Sequence, residues 1–234
     1  MKRNILITFA KKIMNLIAKE VYQIPLLFRN SINCYLVEGY VIDSGIKSSF
    51  NKIKKNLYGK DLKGHVITHA HPDHQGSSHL LCKTFDIPFI CSERDKENAE
   101  SGEVTSEYPS KNLVERFQMK FWAGTGYTVS KTLRENDYLG SFRVIETPGH
   151  SMGHISFFRE EDGVLIAGDV ATNMNLLTTI PGLHLPPKMF TTNQDLNVKS
   201  LQKLSALNPQ IICFGHGPIL YNKDNIFQKF VEKI

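Results

Sequence analysis

The stretch Thr68-His69-Ala70-His71-Pro72-Asp73-His74 constrains this chain more than any other. It places three of the chain's nine histidines and one aspartate within six positions. Imidazole and carboxylate at this spacing are the donor types of a divalent-metal site. "GHVITHAH" begins as a strand over 65–68, and Pro72 breaks it, so the donors sit on a loop at a strand end. The segment reads as half of a two-metal site. The remainder of the chain has to supply the other half.

Three later strand ends carry polar residues of the same kind: "TPGH", "AGD" and "GHG". They add His150, Asp169 and His216 to His69, His71, Asp73 and His74. Seven nitrogen and oxygen donors are too many for one tetrahedral ion and suit two ions that share a carboxylate. The glycines beside His150, Asp169 and His216 fit tight turns and close backbone approach.

The intervening sequence alternates strands and helices. "NCYLVEGYVIDSG" (33–45) reads as two strands turning at Gly39. Residues 46–57 form a helix with Ile46, Phe50, Ile53 and Leu57 on one face. A short helix runs from about Ser77 to Thr84, "IPFICS" is a strand, and Ser92 caps an acidic helix ending near Gly102. Residues 102–130 are the least regular part. Pro109 opens a helix with Leu113, Phe117 and Phe121 on one side, which is either a lid over a pocket or plain core. In the second half, "SFRVIE", "ISFFRE" and "VLIAGD" are strands, the last two joined by a tight turn at Asp162-Gly163. A long loop over 172–190 leads to a helix capped by Thr192 or Asn193 and stopped at Asn208-Pro209, and "IICF" is a last strand. His or Asp recurs just after strands, where an α/β layered fold carries its functional loops.

Composition excludes several classes. At 234 residues, with 41% hydrophobic and 22% charged residues, the chain is an ordinary globular length and balance, not a disordered one. Its net charge of +5 is scattered, so a nucleic-acid partner is not expected. The densest basic run, "KSSFNKIKK", is spaced like a solvated helix face. Cys34, Cys82, Cys91 and Cys213 form no C-x-x-C, which reads as structural thiols in a reducing, cytoplasmic setting. No apolar run approaches the ~18 residues of a membrane span. Residues 1–20 read as a basic amphipathic helical extension packed on a single domain over 21–234. Weak contact with a membrane surface is the second reading, without stable insertion.

The strand pair, "VIDSG", "THAHPDH", "TPGHSMGHISF", "VLIAGD" and "CFGHGP", in that order, resemble the metallo-β-lactamase-fold hydrolase superfamily, in particular its glyoxalase II and lactonase branch. The resemblance spans about Val21 to Leu220. It implies an α/β fold: a four-layer αββα sandwich of two mixed β-sheets flanked by helices. It also implies a division of donors. His69, His71 and His150 would hold the first metal, Asp73, His74 and His216 the second, and Asp169 would bridge them. Asp43 matches the family's D-x-G strand end and would orient a ligand histidine. His154 would do likewise, or would simply be satisfied by backbone. His65, His79 and His184 read as packed side chains, and Trp122, Phe117 and Phe121 as core.

The activity so implied is hydrolysis of a small ester, lactone or thioester by a metal-bridging hydroxide, formed because water between two divalent ions ionises far below its bulk pKa of ~15.7. Asp73 would also take or relay a proton. Zinc is the default pair of metals, with manganese or iron as alternatives for an all His/Asp donor set. β-Lactamases of this fold do not use the bridging aspartate, so Asp169 argues against that activity. Glutathione-thioester hydrolases carry a helical C-terminal domain, for which the 18 residues after His216 leave no room. Tyr127 and Tyr221 are candidates for a substrate-contacting tyrosine. A nuclease or phosphodiesterase of the same fold and a mononuclear iron sulfur dioxygenase are the alternative functions. The oligomeric state is open.

Overall fold

A computed structural model of the chain describes residues 14–109 and 112–234. The first sheet contains β1 (Asn15–Ala18), β2 (Val21–Pro25), β3 (Asn33–Val37), β4 (Tyr40–Ile42), β5 (Gly64–Val66), β6 (Phe89–Ser92) and β7 (Lys131–Leu133), in that spatial order. β1 to β4 form antiparallel pairs, and β4 to β7 are parallel. A parallel pair needs a crossover connection. Here α1 (Phe50–Leu57) joins β4 to β5, and α2 (Pro72–Gln75) with α3 (Ser78–Phe85) joins β5 to β6. α4 (Lys96–Ser101) and α5 (Leu113–Phe121) lie between β6 and β7.

The second sheet holds β8 (Tyr138–Leu139), β9 (Phe142–Glu146), β10 (Ile155–Arg159) and β11 (Val164–Gly168). A separate hairpin follows, β12 (Thr172–Met174) with β13 (Pro181–His184). α6 (Gln194–Ala206) then returns the chain to β14 (Ile211–Phe214), parallel to β11, and β15 (Leu220–Tyr221) and α7 (Ile226–Val231) end it.

Strand alternation builds the layers, because successive side chains point to opposite faces. Tyr35 and Val37 of β3 meet Phe157 of β10 and Val164 and Ile166 of β11 in a core between the sheets. Their neighbours point away. Cys34 and Leu36 join Ile53, Leu57, Leu81 and Ala99 of the helices outside the first sheet. Phe158, Leu165 and Ala167 join Leu201, Leu204 and Phe227 outside the second. The result is helix, sheet, sheet, helix: the four-layer αββα arrangement of two mixed sheets.

Several expectations need correction. Asn15–Ala18 is a strand, not part of an amphipathic helix, because pairing with β2 satisfies its backbone. The rest of that extension, residues 1–13, lies outside the described residues. The 172–190 loop contains the hairpin β12–β13; its first strand is polar in sequence yet buried. α5 starts at Leu113, with Asn112 accepting from the amides of Val114 and Glu115, rather than at Pro109. Phe117 and Phe121 are each 49% exposed and are not core. β15 and α7, after "GHGP", had no counterpart in the reading of the sequence. The four cysteines are buried and unpaired. Among the described residues no helix is long and apolar enough to cross a membrane.

Candidate metal centre

Pro72 occupies the first turn of α2 and holds His71 in extended backbone (φ −111°, ψ 158°). His69 and His71 therefore lie on the loop after β5, while Asp73 and His74 lie on one helical turn, and the change of backbone aims all four inward. β9 leads to His150, β11 delivers Asp169 one residue past its end, and β14 delivers His216. The seven candidate donors thus come from the ends of strands in both sheets and meet at one edge of the sandwich.

Three overlapping groups have donor atoms within 4.8 Å of one another: His69, His71 and His150; His69, His74 and Asp169; and Asp73, His74 and His216. Nε2 of His69 is 3.0 Å from Nδ1 of His71. Two nitrogens on one tetrahedral zinc lie roughly 3.3 Å apart, so this pair has the right span. Asp169 is the hub. Its Oδ2 lies 2.9 Å from Nε2 of His216, 3.4 Å from that of His74 and 3.7 Å from that of His150. Asp73 reaches the cluster through Oδ2, 3.4 Å from Nε2 of His216.

Three of the rings are tied down on their far side. Nδ1 of His74 donates to Asp43 Oδ2 at 2.9 Å, and Nδ1 of His216 donates to the Ser31 carbonyl at 2.5 Å. Nδ1 of His150 faces Thr191 Oγ1 at 3.3 Å. These partners leave Nε2 of His74, His150 and His216 turned to the centre, the arrangement that fixes the tautomer of a ligand histidine. Asp43, at φ +59°, accepts at Oδ1 from the Thr68 amide (2.8 Å) and hydroxyl (3.1 Å), so one carboxylate holds both the loop and a ring. His154 lies beneath: its Nε2 accepts from the Asp169 amide at 3.0 Å and its Nδ1 pairs with Thr147.

Glycine is required where the walls touch. A Cβ on Gly215 would stand 2.1 Å from Asp169 Oδ1, and one on Gly168, at φ +60°, would meet the His154 ring at 2.5 Å.

The fit to cations is visible in the unpaired atoms. Nε2 of His74 and His150 and Oδ1 of Asp169 are buried without a hydrogen-bond partner. Three orphaned lone-pair or N–H sites within the cluster would be costly in a folded protein. A divalent cation satisfies lone pairs of this kind. The electrostatics agree. Burial holds His69 and His71 well below the ordinary histidine range and pushes His150 down to about 4, so these rings are neutral and able to coordinate. For His216 burial also pulls downward, but Asp169 and Asp73 outweigh it and raise the ring to about 9. His74 is driven up against burial by Asp169 and Asp43. Asp169 is lowered, against burial, by His216 and His74.

All seven candidate donors come together, with Asp43 and His154 beside them. His65 is packed instead, bonded to the Val41 carbonyl (2.8 Å) and Ser78 Oγ (2.7 Å). His79 lies against Tyr127, away from the cluster, and His184 is exposed on β13. Neither Tyr127, stacked near His79 and Phe89, nor Tyr221, half-exposed on edge strand β15, is the tyrosine that approaches the centre. That residue is Tyr108, whose ring stands edge-on to His71 at 4.9 Å. It sits in the irregular 102–130 segment, and no spacing pattern marks it. Asp95 also escaped notice. Its Oδ2 accepts from the Ala70 amide at 2.8 Å between two candidate donors, and burial above all pushes its carboxyl up to about 7.

Comparison with known proteins agrees with this geometry. The chain is 28% identical over 196 residues to "Probable metallo-hydrolase YybB" of Bacillus subtilis (strain 168), covering 83% of this chain and 82% of that one. Among solved structures, a metallo-beta-lactamase family protein from Thermus thermophilus superposes with a TM-score of 0.64 at 22% identity, covering 92% of this chain and 79% of that one. TTHA1623, solved in a di-iron-bound form, gives a TM-score of 0.61 at 25% identity, covering 81% and 89%. The family model described as Metallo-beta-lactamase superfamily matches residues 27–216. On this match, on the four-layer fold and on the donors gathered at its edge, the chain belongs to the metallo-beta-lactamase superfamily.

Proposed function

We propose that this metal-dependent hydrolase uses two divalent cations, bridged by Asp169, to hydrolyse a small ester, lactone or thioester. The observation that carries the reading is the single carboxylate oxygen of Asp169 within 3.7 Å of three histidine nitrogens that belong to both donor groups. His69, His71 and His150 would hold one cation and Asp73, His74 and His216 the other. When bound, the pair supplies an acidified water and a Lewis acid for the substrate's carbonyl oxygen. In the net reaction the water oxygen bonds the acyl carbon and the C–O or C–S bond breaks. One water proton ends on the alcohol or thiol and the other on the acid or solvent. Asp73 is more exposed than Asp169 and is the carboxylate suited to hold a proton in transit.

The rim supports a small organic substrate. The loop that provides the Ser31 carbonyl to His216 exposes Phe28, and the hairpin tied to it by Arg29 and Thr179 (3.3 Å) exposes Leu177 and Ile180. The 102–130 segment is read as a lid, since Tyr108 within it faces His71. Zinc is the default metal, and the di-iron form of TTHA1623 makes iron the alternative.

The test is a panel of esters, lactones and thioesters on protein whose metal content has been measured. Turnover with two metals per chain is expected, abolished in His71→Ala and in Asp169→Ala. Undiminished turnover in either variant would overturn the mechanism, and one iron per chain with thiol-dependent oxygen uptake would replace it by a dioxygenase.

A further inference from the structure

We propose that the outer face of α5 is a docking surface for an anionic lipid bilayer, an inference independent of the hydrolase reading above. The helix is turned inside out. At about 100° per residue, Arg116, Lys120, Leu113, Phe117, Phe121 and Val114 follow one another round less than half of its circumference. All of them are exposed, Leu113 by 80%. The opposite arc packs on the domain and holds the polar residues: Glu115 and Gln118 are buried, and Glu115 Oε1 accepts from Thr105 Oγ1 at 2.7 Å. Helices of globular proteins ordinarily bury their apolar arc, so a stripe turned outward marks a contact surface.

Charge identifies the occupant. α5 exposes Arg116 and Lys120 and no acid, because its one carboxylate is the buried Glu115. The Lys120 ammonium lies 5.3 Å from the centroid of the Phe121 ring. Lys47 adds a cation at the end of the helix. Its amide donates to the Trp122 carbonyl at 2.8 Å and its Nζ donates to the Lys120 carbonyl. The basic run over 47–55 begins there, and its Lys54 and Lys55 stay exposed on α1. Cations along one edge of an apolar stripe with aromatic rings suit a helix lying in the headgroup layer of an acidic membrane. The rings enter the acyl boundary and the ammonium groups reach the phosphates on flexible stems. Size argues against a protein partner. A nine-residue helix is about 14 Å long and offers a face about 10 Å wide, far short of the ~800 Å² per partner that a stable interface buries. A second copy pairing through the same face would bring the same cations and no counter-charge. A fluid bilayer needs neither a matching shape nor a large area.

The test is co-sedimentation of the whole chain at low ionic strength with vesicles of phosphatidylglycerol and phosphatidylcholine in equal parts, against vesicles of phosphatidylcholine alone. Binding to the acidic vesicles is expected, about tenfold or more tighter than to the neutral ones and lost as salt is raised. Phe117→Ser with Phe121→Ser removes the rings, and Arg116→Glu with Lys120→Glu reverses the charge. Each pair is expected to weaken binding about tenfold or more with the melting temperature unchanged. Should the serine pair melt early, Leu113→Ser carries the apolar arm, since that side chain is the most exposed apolar one of the stripe. No binding to acidic vesicles, equal binding to neutral ones, or binding that survives both kinds of substitution would overturn the proposal. So would sedimentation velocity that finds a dimer lost in Phe117→Ser, which would give the face to a second copy.

Discussion

Asp43 does more for the centre than its distance from the donors in sequence suggests. Its two oxygens take the Thr68 amide and hydroxyl and the Nδ1 proton of His74, which orients a ring and the loop that carries two others. Removing such a partner ordinarily costs 10- to 100-fold in metal affinity. Asp43→Ala is expected to weaken metal binding by about that factor in competition with a chromophoric chelator, and unchanged affinity would remove the orienting role. His65 carries a different prediction. Burial lowers it from 6.5 to about 4, so the folded protein keeps the ring neutral while the unfolded chain protonates near 6.5. Stability is then complete above that pH and is lost as pH falls from about 6.5 to about 4. That loss is on the order of 3 kcal/mol for this residue. His65→Gln, which keeps polar groups for Val41 and Ser78, is expected to flatten that part of the urea-midpoint profile against pH. At this scale the sequence was legible wherever chemistry leaves a short signature: a proline that turns the chain, a glycine that admits a neighbour, a histidine just past a strand. Tyr108 and Asp95 lack one. They reach the centre through tertiary packing between segments whose spacing carries no information.

At the scale of elements the strands were legible because both sheets are covered on both faces. Residues 34–37 of β3 and all of β11 are continuous apolar runs bounded by turn residues, the mark of strands buried on both sides, and β10 departs from one only at Ser156 and Arg159. α5 was legible as a helix but not in its setting, since periodicity shows that one side is apolar and not whether anything covers it. Phe117 and Phe121 pack on each other at 4.8 Å and stay half-exposed. The helix is held through its other side, where Glu115 accepts from Thr105 Oγ1 at 2.7 Å and Met119 packs on the core, and at its end. The Trp122 carbonyl accepts from the Lys47 amide at 2.8 Å, and Gly124 passes so close to Gly76 that a Cβ there would lie 2.1 Å from the Gly76 carbonyl oxygen. Backbone meets backbone, so neither side can give way by turning a side chain. Gly124→Ala is expected to lower stability by about 1–3 kcal/mol in urea denaturation. The loss extends to function, because Gly76 closes α2, which carries Asp73 and His74. A variant as stable and active as wild type would show that the α5 segment detaches freely.

For the molecule as a whole, the candidate donors are divided between the two sheets. His69, His71, Asp73 and His74 follow β5 of the first sheet, whereas His150, Asp169 and His216 follow β9, β11 and β14 of the second. Cations held between them would crosslink halves that otherwise meet through the apolar core, which would link metal binding to global stability. At free metal about 1,000-fold above Kd the gain is about 4 kcal/mol, worth roughly 10 °C in Tm for a chain of this size. The pH dependence has a definite sign. Without metal, Asp169 and Asp73 outweigh burial and hold His216 protonated up to about 9, and Asp169 and Asp43 raise His74 as well. Each must release its proton to coordinate. Proton competition therefore weakens metal binding as pH falls below about 9, and the stabilisation grows as pH rises from about 6 towards 9. Melting curves with and without a strong chelator, its own protonation corrected for, should show a wider gap at about pH 8.5 than at about pH 6. Calorimetry in buffers of different ionisation enthalpy should find proton release on metal uptake at about pH 7. A gap that is constant or wider at the acid end, or uptake with no proton released, would mean that the metal does not displace the protons of these two histidines, and the shared-carboxylate centre would have to be redrawn without them.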